Sequence, residues 1–177
     1  RVFFDVVAVD AGWSEPKSIW EINKQFLPNG FDPLRRIVES AQGRLGLWIS
    51  PSAFYTLATD CDWAGRNGFA VVKYSGYGRH PMTGLSLADP AYFSKTKDQL
   101  MRLIREDRFA HVKFDGLFPF EDAPHHDLLA GDDSVEPLAA KALELLLAAK
   151  QANSELVSEP TFLNSWFNYI SPWMIQY

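Results

Sequence analysis

Short apolar runs that alternate with helical periodicity constrain the fold of this chain of 177 residues more than any other feature. The runs are rich in β-branched and aromatic residues and stop abruptly at polar ones, as buried parallel strands do. We predict strands at Phe3 to Val9, Leu45 to Ile49, Val112 to Asp115 and Glu155 to Ser158, with a short one at Leu85 to Leu87. Because helical segments separate the long runs, the order predicts right-handed βαβ units and a parallel sheet.

Three helices are predicted between these strands. The first begins at Asp32-Pro33, with the aspartate as the N-cap, and ends at Gly43. The second carries an inward stripe at helical spacing, formed by Tyr92, Phe93, Thr96, Leu100, Leu103 and Ile104. The third runs from Ser134, its predicted cap, to Ala152. Between the second strand and the second helix, the sequence predicts a long loop rich in Gly, Tyr and Trp.

Two α/β folds with a parallel sheet fit this order, and glycine patterns separate them. A doubly wound nucleotide-binding sheet would carry G-x-G-x-x-G or a P-loop after a strand, and the sequence has neither. We therefore predict a (β/α)8 TIM barrel, in which the residues that end the strands line one rim. Four or five strands cannot close a barrel of eight, so we interpret residues 1–177 as a single segment of a catalytic barrel. It would cover roughly half of the barrel and be incomplete at both ends.

Lys113 and Asp115 form the clearest candidate site. Residues i and i+2 of a strand point to the same face, so these two side chains are expected to lie together at a strand end. An ammonium group beside a carboxylate favours the ionised acid, which suits a nucleophile or a ligand for a polar substrate better than a proton donor. The alternative is an ordinary surface ion pair at the end of a strand.

Composition argues against several classes of partner and cofactor. The net charge is −5 and no cluster of Lys and Arg occurs, so we expect neither nucleic acid nor a membrane as a partner. The one cysteine, Cys61, offers no internal disulfide and no cysteine metal site. His125-His126-Asp127 lies in a predicted loop, where solvated His and Asp are ordinary, so we predict no metal and no cofactor.

Five landmarks in order resemble the melibiase-type α-galactosidase superfamily. They are Asp10-Ala11-Gly12-Trp13, Phe26-Leu27-Pro28-Asn29-Gly30 after Trp20, Gly46-Leu47-Trp48-Ile49-Ser50-Pro51, Lys113-Phe114-Asp115-Gly116 and Ser158-Glu159-Pro160. Members of this superfamily carry Asp-Gly-Trp after the second barrel strand and Lys-x-Asp after the fourth, so the resemblance implies that this chain covers about strands 2 to 5 or 6 of the barrel. The resemblance implies a retaining glycoside hydrolase that acts on a small-molecule or oligosaccharide substrate with an α-linked sugar, an α-galactoside being the expected one.

The same resemblance assigns roles to residues. It makes Asp115 the nucleophile that forms a covalent glycosyl-enzyme, and Lys113 a ligand of the sugar hydroxyls that keeps the acid charged. Four further residues are expected to contact the sugar: Asp10, Trp13, Trp48 and Glu159. The carboxylates would accept hydrogen bonds from hydroxyls, and either indole would offer an apolar ring face. The alternatives are that the tryptophans belong to the core and that the glutamate is simply exposed.

Two departures from the family pattern keep other functions open. Ala11 stands where many relatives have a second aspartate, which removes one hydroxyl acceptor and leaves galactose specificity open. The general acid/base of the family follows the sixth strand, whereas the stretch from Trp166 to Tyr177 holds no acidic residue. The alternatives are therefore a catalytically silent carbohydrate-binding barrel and a glycosyltransferase of the same superfamily, in which a sugar acceptor intercepts the intermediate.

Overall fold

The computed structural model describes residues 4–53, 55, 58–74, 82–117, 120–123 and 126–161, in which strands and helices alternate. In chain order the elements are β1 Val6–Val9, α1 Asp32–Ser40, β2 Arg44–Ile49, α2 Cys61–Arg66, β3 Val71–Tyr74, β4 Met82–Leu85, α3 Pro90–Glu106, β5 His111–Phe114, α4 Val135–Ala152 and β6 Val157–Pro160. A short 3-10 turn at Gly131–Ser134 leads directly into α4.

A parallel sheet with the strand order β1-β2-β5-β6 forms the centre of the structure. In its register Gly46 of β2 pairs with His111 of β5, which in turn pairs with Val157 of β6. Each connection between neighbouring strands contains at least one helix, as parallel pairing requires. The α/β class with a parallel sheet that the sequence predicts is therefore confirmed.

The two faces of this sheet differ in chemistry because side chains alternate along each strand. One face carries Leu45, Leu47 and Ile49 of β2 and Val112 and Phe114 of β5, all at most 2% exposed. These side chains belong to one hydrophobic cluster with the buried residues of α3 and α4. The opposite face carries His111 and the charged side chains of the candidate site.

The stripe of α3 is buried, as its helical spacing predicts, and α4 also has a buried stripe. The predicted residues of α3 are all buried, together with Gln99. In α4 the buried residues recur at helical spacing and are Leu138, Ala142, Leu145, Leu146 and Ala149. The carboxylate of Asp89 caps α3 by accepting a hydrogen bond from the backbone N–H of Ala91 at 2.9 Å.

The limits of α1 differ from the prediction. Asp32 is the first residue of the helix rather than its N-cap, and its carboxylate pairs with the side chain of Arg35. The helix ends at Ser40, before Gly43. A Cβ at Gly43 would come within 2.9 Å of the carbonyl oxygen of Phe4, so glycine serves a close approach of two backbone segments there.

The predicted long loop after β2 contains regular structure. α2 begins after Asp60, whose carboxylate accepts a hydrogen bond from the N–H of Trp63 at 2.9 Å. β3 and β4 form an antiparallel pair in which Val71 lies opposite Leu85. The short strand predicted at Leu85 to Leu87 is therefore wrong in position, because β4 ends at Leu85 rather than beginning there.

Candidate active site

The candidate site lies on the polar face of the sheet, towards the C-terminal ends of the strands. Trp48 of β2, Lys113 of β5 and Glu159 of β6 are register partners and form a row across three strands. Asp115 lies just beyond this row, and its backbone N–H donates to the carbonyl oxygen of Ile49 at 2.8 Å. The parallel sheet therefore brings together residues from distant parts of the chain at one edge.

Both carboxylate oxygens of Asp115 accept hydrogen bonds. Oδ2 accepts from the indole Nε1 of Trp48 at 3.0 Å and lies 4.0 Å from Nζ of Lys113. Oδ1 accepts from the hydroxyl group of Thr161 at 2.9 Å. The side chains of Lys113 and Asp115 are 28% and 25% exposed, so the carboxylate is held by the protein and is still accessible. The predicted pairing of the lysine with the aspartate is present.

Backbone contacts fix the chain segments around Asp115. Thr161 donates its N–H to the carbonyl oxygen of Phe114 at 3.0 Å, and its hydroxyl lies 3.2 Å from the same oxygen. Gly116 has a φ of 76°, in the left-handed region that favours glycine, and its carbonyl oxygen accepts from the N–H of Ser52 at 3.1 Å. The chain can therefore turn away sharply and leave the carboxylate at the strand end.

Trp13 and Trp48 are core residues in this structure. They are 3% and 4% exposed, and Nε1 of Trp13 donates to the carbonyl oxygen of Trp48 at 2.8 Å. The ring of Trp48 packs edge-on against Tyr55, with centroids 5.5 Å apart, and against Trp20 at 6.3 Å. The packing covers the ring surfaces that a sugar would need, and contact of either indole with a sugar stays a prediction.

His111 belongs to the polar face and was missed by the sequence analysis. It is 8% exposed, and its Nε2 lies 3.0 Å from Oε2 of Glu159. Glu159 lies inside β6 rather than after it, and its carboxylate is engaged by this imidazole, so its role as a sugar ligand stays a prediction. Alternation along β5, which places His111, Lys113 and Asp115 on one face, was the signal that could have identified the histidine.

Asp10 follows β1 at the same edge of the sheet and is exposed. Its Oδ1 accepts a hydrogen bond from the N–H of Ala11 at 2.7 Å. The loop after β1 encloses an open depression of about 360 Å³, which is lined by Ala11, Gly12, Ser14, Pro16, Asn23 and Phe26. Ala11 lines this depression and also packs against the hydrophobic core, and the role of Asp10 in sugar binding stays a prediction.

Other predicted features are placed only in part. Across the described ranges, no three or more His, Cys, Asp or Glu side chains gather as a metal ion would require. His125 and residues 162–177, where the sequence lacks an acid, lie outside the described residues. Burial raises the pKa of the Cys61 thiol, which disfavours a reactive thiolate. No helix within the described part of the chain is long and apolar enough to cross a membrane.

Solved structures match the chain over nearly its whole length, whereas no protein-family model and no curated protein matches it. An α-galactosidase from Lactobacillus brevis superposes with a TM-score of 0.72 at 15% identity, covering 97% of this chain and 25% of that one. A variant of the GH36 α-galactosidase AgaA from Geobacillus stearothermophilus, in complex with raffinose, has the same TM-score at 14% identity and covers 98% and 26%.

The α-galactosidase TtGalA from Thermus thermophilus, in complex with stachyose, is more distant in shape. Its TM-score is 0.60 at 18% identity, and the match covers 97% of this chain and 36% of that one. This chain therefore covers 25%, 26% and 36% of the lengths of these three solved enzymes. Its ordered sequence landmarks and its three-dimensional structure point to the same enzymes, and over nearly its whole length the chain shares the fold of one part of the GH36 α-galactosidases.

Proposed function

We propose that the protein is a retaining glycoside hydrolase that cleaves α-galactosides through a covalent glycosyl-enzyme. The observation that carries this proposal is the carboxylate of Asp115, which ends an inner strand of the sheet beside Lys113 and remains accessible. Raffinose and stachyose are bound by the similar enzymes from Geobacillus and Thermus, which supports an oligosaccharide substrate with a terminal α-galactosyl group.

We also propose that the sheet is part of a (β/α)8 barrel. Its polar face would then be the barrel interior, where inward side chains pack in layers, and its apolar face would lie under the outer helices. The row of Trp48, Lys113 and Glu159 would face this interior, with Asp115 beyond it at the rim. β1 and β6 border the described sheet, and further strands would pair along them.

The chemistry follows from where Asp115 stands. One carboxylate oxygen forms a bond to the anomeric carbon while the bond from that carbon to the departing oxygen breaks, and the departing oxygen takes a proton from a second carboxyl group. Water then attacks the same carbon, gives its proton to the conjugate base and releases Asp115 as a carboxylate. The two displacements retain the configuration of the sugar. We assign the second carboxyl group to none of the described residues.

Lys113 and Asp10 would serve the sugar rather than the bond change. The ammonium group stabilises the charged nucleophile and has donors for sugar hydroxyls, and the exposed Asp10 can accept hydrogen bonds from hydroxyls further along the rim. Ala11 supplies no such acceptor, so the sugar specificity has to be measured across a panel of glycosides.

The first prediction concerns Asp115. Changing Asp115→Asn in the full-length protein removes the nucleophile but nearly preserves its shape, so we expect kcat with nitrophenyl α-galactoside to fall by at least about 10⁴-fold. Asp98→Asn, an exposed change of the same kind on α3, is the matched control and should leave kcat unchanged. NMR of the first product formed by the wild type should show the α-anomer.

Three results would reject the proposal in different directions. Full activity of Asp115→Asn would show that Asp115 is not the nucleophile. Release of the β-anomer would replace the covalent mechanism by a single displacement. Binding of α-galactosides by calorimetry without any turnover of the wild type would instead support the silent carbohydrate-binding barrel, for which the Ala11 departure is the observation in favour.

A further inference from the structure

Two uncharged groups at the ends of different strands donate hydrogen bonds to the carboxylate of Asp115. We propose that Trp48 and Thr161 are positioning residues that fix the orientation of this carboxylate for attack, and that Trp48 acts through its indole N–H rather than as a platform for the sugar. The inference rests on the proposed function, because it assigns how the nucleophile of that same site is aimed.

The indole of Trp48 is fixed in a position to do this. Its Nε1 lies 3.0 Å from Oδ2 of Asp115, although the two residues are 67 positions apart in sequence. The rings of Tyr55 and Trp20 pack against it at interplanar angles of 67° and 71°, and the side chain is 4% exposed. A ring so enclosed keeps one orientation, and its N–H is the polar part that it directs to the site.

Thr161 holds the other oxygen. Its hydroxyl lies 2.9 Å from Oδ1 of Asp115, and its backbone is tied to β5 by the hydrogen bond to Phe114. Donors on both oxygens oppose rotation of the carboxylate about its Cβ–Cγ bond. Each oxygen has more than one lone pair, so each can keep its hydrogen bond and still present electrons to a substrate.

Lys113 supplies charge to this carboxylate but not direction. Its Nζ lies 4.0 Å from Oδ2, beyond the range of a direct hydrogen bond, so its attraction depends little on how the carboxylate is turned. The two directional contacts come from Trp48 and Thr161. A misaligned nucleophile loses rate because attack on the anomeric carbon needs a defined line of approach.

Kinetics separate positioning from sugar binding. Because hydrogen bonds to charged groups are among the stronger ones, we expect Trp48→Phe, which keeps an aromatic ring, and Thr161→Val, which keeps the shape, each to lower kcat about 10- to 100-fold with little change in KM. Thr161→Ser keeps the hydroxyl group, so its kcat should be close to that of the wild type and well above that of Thr161→Val. A rise in KM with kcat retained in Trp48→Phe, or equal losses in the valine and serine variants, would overturn the inference.

A spectrum tests the same contact without turnover. In full-length protein labelled with 15N-tryptophan, the indole resonance that disappears in Trp48→Phe belongs to Trp48, and it should move in Asp115→Asn but not in Asp98→Asn. An unmoved resonance in Asp115→Asn would overturn the inference. An inactive wild type whose Trp48 resonance responds to Asp115→Asn would reject the proposed function alone, since the hydrogen bond would stand. If Trp48→Phe does not fold, the comparison of kcat between Thr161→Val and Thr161→Ser tests the inference.

Discussion

At the scale of single residues, the polar face is tightly packed around Gly46. A Cβ at Gly46 would come within 2.9 Å of Nδ1 of His111 and within 2.9 Å of a methyl group of Val6. His111 is buried and held by Glu159, so its ring cannot swing away freely. We expect Gly46→Ala to destabilise the protein by about 1–3 kcal/mol through overpacking, measured by chemical denaturation.

Gly65→Ala is the matched control for that change. Gly65 lies in α2, and an added Cβ there would meet only a methyl group of Val71 at 3.5 Å, an ordinary contact. Alanine favours a helix over glycine by about 0.5–1 kcal/mol, so this variant should be neutral or slightly more stable. Equal effects of the two substitutions would show that the imidazole does not constrain Gly46.

Part of the site could be predicted from the sequence at this scale. Alternation along one strand is a local rule, and it was enough to place Lys113 and Asp115 together. The contacts from Trp48 and Thr161 to Asp115 depend on which strands are neighbours, and a period of two along one strand contains no such information. The resemblance to a family suggested a sugar-facing role for Trp48, whereas the structure turns its N–H towards the carboxylate.

At the scale of elements, burial of one helix stripe stabilises the arrangement. Leu103 of α3 is fully buried, whereas Leu147 of α4 is 52% exposed. We expect Leu103→Ala to cost about 2–5 kcal/mol of unfolding free energy, because it leaves a cavity in the core. Leu147→Ala, the same substitution at an exposed helical position, should change stability by no more than about 0.5 kcal/mol. Similar losses in both variants would contradict the packing described for α3.

A charged contact also joins α3 to α4. Glu144 lies 2.9 Å from the ammonium group of Lys141 and 3.0 Å from that of Lys97, and both lysines lie over the ring of Phe93. Hydrogen bonds from Lys141 and then Lys97 lower the pKa of Glu144. A carboxyl group whose pKa is lower in the folded than in the unfolded protein stabilises the folded state at pH values above its unfolded pKa. This stabilisation is lost as the pH falls through the pKa of the folded state.

Glu144→Gln should therefore be less stable than the wild type at neutral pH, with a difference that shrinks as the pH falls below the unfolded value of 4.5 and also shrinks in high salt. Chemical denaturation of both proteins as a function of pH and salt measures this difference. A difference that is independent of pH would show that the glutamate contributes through packing instead of charge.

Element prediction worked where apolar periodicity was long. The apolar stripe of α3 extends over most of its 17 residues, so it fits the helical period and no other. β3 and β4 have 4 residues each and α2 has 6, which is too short for a period to stand out in a loop rich in glycine and aromatic residues. Asp60 was the available signal for α2, since aspartate is a preferred N-cap.

At the scale of the whole molecule, one face of the parallel sheet packs against helices and the other carries the candidate site. Its apolar face anchors the helices, while its polar face gathers a histidine, a lysine and two carboxylates that a core of this size would not otherwise hold. The parallel class was predictable because strands and helices alternate along the chain. The (β/α)8 barrel stays a prediction, because the described parallel sheet has four strands, with β1 and β6 at its two borders.

The proposed mechanism requires Asp115 to form a covalent bond to the anomeric carbon of a sugar. A fluorinated α-galactosyl fluoride traps the covalent intermediate, because the intermediate forms faster than water hydrolyses it. It should leave one sugar residue attached to the full-length protein, and peptide mass spectrometry should locate that sugar on Asp115. Attachment to another carboxylate, or no attachment to a protein that hydrolyses α-galactosides, would contradict the account.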